Sequence, residues 1–226
     1  MSVSEAVAAR KSVRAFTSQQ VDPADLRRLL VDAAQAASGG NVQPWRLWVL
    51  TGEVLETFRA KVRGLREEFP MGQEPEYDVY PPDLWEPYRS RRFKNGQDLY
   101  AAIGIPREDK AGRRAQFGNN FDFFGAPAAV LVGIDRRMGP PQWSDVGMYL
   151  QNVMLLAVER GLATCPQETW TSWHKVVYET LDIPEDVMLF CGLAIGYEDL
   201  EHPINTWRSD RADPSEWIDD ATLRAQ

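Results

Sequence analysis

The fold follows from two apolar stretches, A-A-V-L-V-G-I at residues 128–134 and D-V-G-M-Y-L-Q-N-V-M-L-L-A at residues 145–157. The first is continuously apolar, which is typical of a β-strand buried on both faces. The second belongs to a helix over 145–160 that is apolar nearly all round, which indicates a central, buried helix. Further strands are predicted at 47–51, 162–165 and 187–195. Strands and helices alternate unevenly, which favours an α+β sandwich with a mixed sheet over a regular doubly wound fold.

The remaining helices are predicted from caps and apolar spacing. Ser2 and Glu5 have capping-box spacing for a short helix that ends near Arg10. Asp22 and Pro23 provide an N-cap and a first helical position for the next helix. Its apolar face comprises Leu26, Leu29, Leu30, Ala33, Ala34 and Ala37, and the small residues at 38–41 are predicted to end it. Other helices are predicted at 54–65, 97–103, 110–124, 172–181 and 213–216.

Residues 70–92 form an irregular excursion rich in proline, aromatic and acidic residues. No helical or strand period is visible in it, and long loops of this kind are often functional. Arg89, Arg91 and Arg92 lie within it and could bind an anionic substrate or remain solvated. No linker or repeat is recognisable elsewhere, so residues 1–226 are expected to form a single domain that carries this excursion.

Composition excludes several classes of protein. The net charge of -8 would repel nucleic acid, and no run of basic residues offsets it. No apolar run reaches membrane-spanning length, and the first residues lack an apolar signal core. Cys165 and Cys191 have no zinc-like or C-x-x-C spacing, which fits a reducing compartment. We therefore expect a cytoplasmic protein that binds neither nucleic acid nor membrane.

Common catalytic motifs are absent. The chain has no G-x-G-x-x-G after a strand, no Walker loop, no G-x-S-x-G and no H-E-x-x-H. His174 and His202 are isolated, so a histidine-based metal site is not predicted.

Four separated polar clusters could instead build a cofactor site, and they lie at residues 10–14, 38–45, 164–170 and 208–211. A phosphate group requires cationic forks and hydroxyls, and a flat heterocycle requires amides at its rim. Each cluster taken singly also has a plainer interpretation. Arg10, Lys11 and Arg14, for example, could simply complement the dipole at the end of the first helix.

The ordered set of motifs resembles the FMN-dependent nitroreductase family over nearly the whole chain. The stretches that carry the resemblance are A-R-K-S-V-R-A-F (9–16), A-A-S-G-G-N-V-Q-P-W (36–45), F-F-G-A-P (123–127), the 145–157 stretch, G-L-A-T-C-P-Q (161–167), G-L-A-I-G-Y (192–197) and N-x-x-R-x-x-R (205–211). The F-F-G-A-P, Q-N-V-M-L and C-P-Q segments are most similar to its nitrobenzoate-reductase-like branch.

The resemblance implies a fold, a cofactor and residue roles. The implied fold is a three-layer sandwich with a mainly antiparallel mixed sheet between helices, in a domain-entwined homodimer with FMN at the interface. Arg10, Lys11 and Ser12 match the segment that binds the FMN phosphate and ribityl chain, and Arg208 and Arg211 match the basic pair that completes the phosphate site. Arg14 matches a position beside the flavin pyrimidine. Ser38, Gly39, Asn41 and Gln43 match a turn that approaches the flavin from the partner subunit, and Pro166, Gln167 and Glu168 match the segment whose backbone faces flavin N5.

The implied activity is ping-pong transfer of electrons from NAD(P)H through FMN to a nitroaromatic, a quinone or a similar electron-poor acceptor. Flavin N5 then carries the chemistry, and no side chain is nominated as a catalytic acid or base. Three alternatives remain: a flavin-dependent dehalogenase, a flavin-fragmenting enzyme of the same fold, and a non-catalytic flavin-binding or storage protein.

Arg211 offers the clearest choice between two interpretations. Arg10, Ser12, Arg208 and Arg211 are expected to converge on the phosphate from opposite ends of the chain, because clustered cations repel one another unless an anion lies between them. Alternatively, Arg211 pairs with Asp210 or Asp213 at the surface, where an ion pair contributes little.

Overall fold

The computed structural model describes residues 1–219. Its centre is a four-stranded sheet built from β1 (Arg46–Thr51), β2 (Ala128–Asp135), β3 (Ala163–Gln167) and β4 (Val187–Gly196). The spatial order is β1-β2-β4-β3, and each adjacent pair is antiparallel. Within the described residues, parallel pairing is limited to isolated bridges such as the one between Ser12 and Thr164.

Helices cover both faces of this sheet. The helices are α1 (Val3–Ala9), α2 (Pro23–Ala33), α3 (Gly52–Leu65), α4 (Tyr88–Ala102), α5 (Lys110–Gly118), α6 (Pro140–Glu159), α7 (His174–Leu181) and α8 (Pro203–Thr206). Along β2, Val130 and Val132 pack with α2 and α6, whereas Ala129 and Leu131 pack with α3, α7 and the turns beside them. This alternation follows from the two-residue period of a strand. The α+β three-layer sandwich is thereby confirmed, with an antiparallel sheet.

Local signals located most element starts correctly. The capping box of Ser2 and Glu5 is present, and Asp22 accepts hydrogen bonds from Ala24 and Asp25 at the start of α2. The predicted end of α2 at 38–41 is wrong, because the helix ends at Ala33 and residues 39–41 form a separate 3-10 turn. The helix predicted at 97–103 begins earlier, at Tyr88, and those predicted at 110–124 and 172–181 are each partly replaced by 3-10 turns, at 119–125 and 168–173.

The excursion is irregular only up to Pro87 and is held on the sheet by side chains. The carboxylate of Glu76 accepts a hydrogen bond from the Leu189 amide at 2.8 Å and pairs with Arg136 at 2.5 Å, and Tyr77 donates to the carbonyl of Phe190. Phe190 lies where the register of β2 and β4 shifts. The excursion therefore satisfies backbone groups at an irregular part of the sheet.

A second irregular segment, the turn at 119–125, carries backbone strain. Phe123 and Phe124 both have positive φ, at 49° and 54°, which is unusual for bulky residues. Phe123 stacks on Trp170 with ring centroids 4.2 Å apart, and the guanidinium of Arg59 donates to the carbonyl of Ala126. Packing and this buried bond offset the strain.

Across residues 1–219, every helix is too short or too polar to cross a membrane.

Candidate functional site

The two ends of the described chain meet around a cavity of about 460 Å³. Its lining comprises Val7, Ala8, Arg10, Lys11, Ser12, Arg14, Asn95, Trp207, Arg208, Ser209 and Arg211. Five of these side chains are cationic and none is acidic. In a chain with a net charge of -8, such a concentration of positive charge is stabilised by an anion between the cations.

Asn205 joins the N-terminal segment, residues 7–15, to the C-terminal segment, residues 199–219. Its side chain is 2% exposed; it accepts a hydrogen bond from the Arg14 amide at 2.9 Å and donates to the carbonyls of Ala15 and Asp199, each at 2.8 Å. An amide that satisfies three backbone groups fixes both segments relative to each other. Sequence analysis found Asn205 only as part of a motif, without this role.

Arg10 differs from the other cations of the cavity because its side chain lacks a protein partner within residues 1–219. It follows α1, and its side chain has no hydrogen bond or ion pair with another residue in 1–219. Burial, together with the positive charges of Arg211 and Arg208, lowers the pKa of Arg10. A negatively charged ligand in the cavity would relieve this repulsion.

Arg211 has no acidic partner in the described chain. Its guanidinium donates to the carbonyl and hydroxyl of Ser209 at 3.0 Å and to the carbonyl of Asp210 at 2.8 Å. The carboxylate of Asp210 pairs instead with Lys94, and that of Asp213 accepts from Ser215 in a 3-10 cap. The surface pairing considered from the sequence is therefore not formed within residues 1–219.

The other cations in the cavity already have protein partners. Arg208 donates to the carbonyls of Ala8 and Ala9, which the end of α1 leaves without helical partners. Lys11 pairs with Glu198 at 2.6 Å and donates to the carbonyl of Asn205. Arg14 donates to the carbonyl of Ser12 at 3.2 Å. These contacts shape the cavity and hold its positive charge in place.

The turn at 38–43 lies outside this cavity. Its Gly39 amide donates to the Asp145 carboxylate at 3.2 Å, and the Gln43 amide donates to the Ser38 hydroxyl at 3.1 Å. Asn41 and Gln43 are exposed and both have positive φ. One chain therefore does not bring Ser38, Gly39, Asn41 or Gln43 to the cation-lined cavity.

The segment 166–168 continues from the strand that flanks the cavity. Ser12 bridges Thr164, and Gln167 lies about 10 Å further along β3 at ordinary strand rise. The Gln167 side chain is 2% exposed and turned inward, donating to the carbonyl of Asn120 at 2.7 Å and accepting from the Trp170 indole at 3.4 Å. Pro166 and Glu168 are both exposed residues, although local burial of the Glu168 carboxyl raises its pKa.

Asn95, Trp207 and Ser209 were not predicted as site residues. Ser209 and Trp207 flank Arg208 in sequence and could have been inferred from it. Asn95 carried no such signal, because it reaches the cavity from α4, more than eighty residues from either segment in the printed sequence.

The chain is similar in sequence and in fold to known proteins. The Nitroreductase family model matches residues 7–197. A 4-nitrobenzoate reductase of Nocardioides sp. (strain LMS-CY) is 39% identical over 202 residues, covering 88% of this chain and 81% of that protein. A nitrobenzene nitroreductase of Ectopseudomonas oleovorans is 37% identical over 196 residues, covering 87% and 86%. The crystal structure of the FMN and NADPH-dependent nitroreductase NfnB from sphigopyxis sp. strain HMH superposes with a TM-score of 0.94 at 50% identity, covering 97% and 98%.

The structure is thus a three-layer α+β protein with a cation-lined cavity where residues 7–14 and 207–211 meet. With the match over residues 7–197, the chain belongs to the nitroreductase family.

Proposed function

We propose that the protein is an FMN-dependent oxidoreductase that passes electrons from NAD(P)H to a nitroaromatic, a quinone or a similar electron-poor acceptor by a ping-pong mechanism. The observation that carries this proposal is the cavity with five cations and no acidic side chain. The residues fit an FMN phosphate, since within residues 1–219 Arg10 and Arg211 have unpaired donors and Ser12 adds a hydroxyl. The relatives named above, among them an FMN and NADPH-dependent nitroreductase, support the same assignment.

In this proposal the chain binds and orients the cofactor. Arg10, Ser12 and Arg211 hold the phosphate, while Arg208 and Lys11 contribute positive charge from fixed positions. Arg14 lines the same cavity and provides a cation beside the flavin ring. When bound, FMN supplies two-electron chemistry that the side chains themselves lack.

The segment 166–168 presents backbone groups to the flavin ring. The hydrogen bonds of the Gln167 side chain to Asn120 and Trp170 hold this segment rigidly, so its backbone needs no rearrangement when charge develops nearby. We therefore assign Pro166, Gln167 and Glu168 to the site through their backbone and name no side chain as a catalytic acid or base.

We further propose that two copies of the chain form the complete site. In one chain the exposed apolar residues Val3, Val7 and Met148, with exposed fractions of 75%, 52% and 41%, lie on α1 and α6. A cavity of about 330 Å³ beside them is lined by residues that include Leu155 and Leu156. A second copy would cover this surface and bring its own turn at 38–43, which has no place in the cavity of its own chain.

The dimer predicts a mass in solution of twice the 25.6 kDa chain. Obligate interfaces bury more than about 2,000 Å², so a charge at their centre is strongly disfavoured. We expect Met148→Glu to shift the protein to monomers and to lose FMN, as measured by light scattering and absorbance. Val54→Glu is the control, because Val54 is 59% exposed on α3, at the opposite layer. A monomeric wild-type protein that retains FMN would refute the proposal.

The activity is tested on the purified holoprotein. We expect a yellow protein that releases FMN on denaturation and oxidises NAD(P)H faster when a nitroaromatic or a quinone is added. A screen with nitro, quinone and halo-aromatic acceptors separates this activity from dehalogenation. Bound FMN without NAD(P)H oxidation would instead indicate a storage protein, and a protein that takes up no FMN would contradict the whole assignment.

We also propose a cytoplasmic location. Cys165 and Cys191 are both free and buried, and burial raises the pKa of the Cys165 thiol to about 11. Such thiols are compatible with a reducing compartment, since neither contributes a disulfide.

A further inference from the structure

Helix α4 contains none of the residues that the sequence assigned to the cofactor site, and within residues 1–219 it contacts the C-terminal segment through two ion pairs. Lys94 lies 2.5 Å from the carboxylate of Asp210, and Arg91 lies 2.8 Å from that of Glu216. Arg91, Lys94 and Asn95 share one helical face, since they are three and four positions apart. Asn95 on this face lines the cation-lined cavity. Helix α4 is therefore the outer wall of the site.

Opposite charges alternate along the C-terminal segment, so each acid is a potential competitor for a cavity cation. Asp210 precedes Arg211 directly in the chain and is the nearest acid in sequence. In the structure the carboxylate of Asp210 pairs with Lys94, and Arg211 donates to the backbone carbonyl of Asp210 but not to its carboxylate. The guanidinium of Arg211 therefore keeps donors for an external anion.

We propose that Lys94 is a positioning residue of the cofactor site, which holds the Asp210 carboxylate away from Arg211 and so keeps Arg211 available for the FMN phosphate. This inference rests on the proposed function, because it requires FMN in the cavity. The ammonium of Lys94 holds the pKa of Asp210 below its usual range. Without Lys94 the carboxylate still stays charged near neutral pH, because the ordinary pKa of an aspartate is about 4. Once released, that charged group competes with the phosphate for the same guanidinium.

The test is a titration of apoprotein variants with FMN at low ionic strength. Lys94→Met is expected to weaken FMN binding by about two- to five-fold, the range for an exposed competing ion pair. Asp210→Asn alone should bind FMN as well as the wild type or more tightly. The double variant should recover wild-type affinity, because it lacks both the Lys94 ammonium that holds Asp210 and the Asp210 carboxylate that would compete with the phosphate. Riboflavin, which has no phosphate, should bind all four proteins equally, and added salt should reduce the differences.

Arg91→Met is the matched control. It removes the other ion pair between α4 and the C-terminal segment and releases the carboxylate of Glu216. Because Glu216 is five residues from Arg211, whereas Asp210 is adjacent to it, FMN affinity should stay at the wild-type level. If Lys94 acted only as a tether, Lys94→Met and Asp210→Asn would weaken binding equally and the double variant would show no recovery. That result, or an unchanged affinity in Lys94→Met, overturns the inference alone. A wild-type chain that binds no FMN overturns the proposed function and this inference with it.

Discussion

Replacing Arg211 by Ala is expected to weaken FMN binding by about 10- to 150-fold while leaving riboflavin binding unchanged. A charge-assisted hydrogen bond to a phosphate contributes about 1.5–3 kcal/mol, and about 1.4 kcal/mol corresponds to a factor of ten in affinity. Arg211 has no acidic partner within residues 1–219, so its charge is available to the phosphate. Fluorescence titration of the apoprotein with each flavin measures both dissociation constants.

The control for Arg211 is Arg137→Ala, which removes the same charge at the other end of the sheet. The side chain of Arg137 is 84% exposed and pairs with Asp135. It should leave both flavin affinities unchanged. Equal losses for FMN and riboflavin in Arg211→Ala would show a general disturbance of the site, and no loss for either would show that Arg211 does not bind the phosphate.

Replacing Arg59 by Ala is expected to be the most destabilising single change considered. The residue is 5% exposed; its guanidinium lies 2.5 Å from Glu56 and 3.4 Å from Asp122 and donates to the carbonyl of Ala126. Removing Arg59 leaves the buried carbonyl of Ala126 without its side-chain donor, which costs about 1–3 kcal/mol. In a chain of this size that corresponds to a fall in the melting temperature of about 2–12 °C. The strained turn at 119–125 would lose its main polar contact with α3.

Arg63→Ala is the matched control for Arg59. Arg63 also lies on α3 and pairs with Glu56 at 3.5 Å and with Asp122 at 3.7 Å, but its side chain is 51% exposed. Exposed ion pairs of this kind contribute less than about 1 kcal/mol. Thermal melting of both variants distinguishes the loss of a buried side chain from the loss of a positive charge alone. Equal falls in melting temperature would contradict the explanation that Arg59 matters more because it is buried.

Local sequence was enough to predict features that depend on neighbouring residues. The capping box at Ser2 and Glu5 and the Asp22-Pro23 helix start were predicted because caps involve contacts within four residues. The buried strand at 128–134 was predicted because its residues are continuously apolar, whereas a strand with one face in solvent alternates apolar and polar residues. The same signals failed at the end of α2, where Ala34 and Ala37 continue the apolar pattern beyond the last helical residue, Ala33.

Long-range contacts decided the elements that the pattern missed. Helix α4 has no buried residue, so no apolar period marks its start at Tyr88. The positive φ angles of Phe123 and Phe124 are supported by Trp170 and Arg59, which are distant in sequence. The turn at 38–43 was correctly predicted as a turn, but its place relative to the cavity depends on contacts with Asp145 and on the proposed partner copy.

The sequence alone was enough to predict the family, through its ordered motifs, and the set of cations that line the cavity. It left open whether Arg211 pairs with a neighbouring acid or binds an anion, because Asp210 and Asp213 are as close in sequence as any partner. In the tertiary structure Lys94, 116 residues away along the chain, pairs with Asp210, so within residues 1–219 Arg211 has no ion pair with this acid. Local sequence could not show this, because an ion pair depends on distance in space and the sequence reports only distance along the chain.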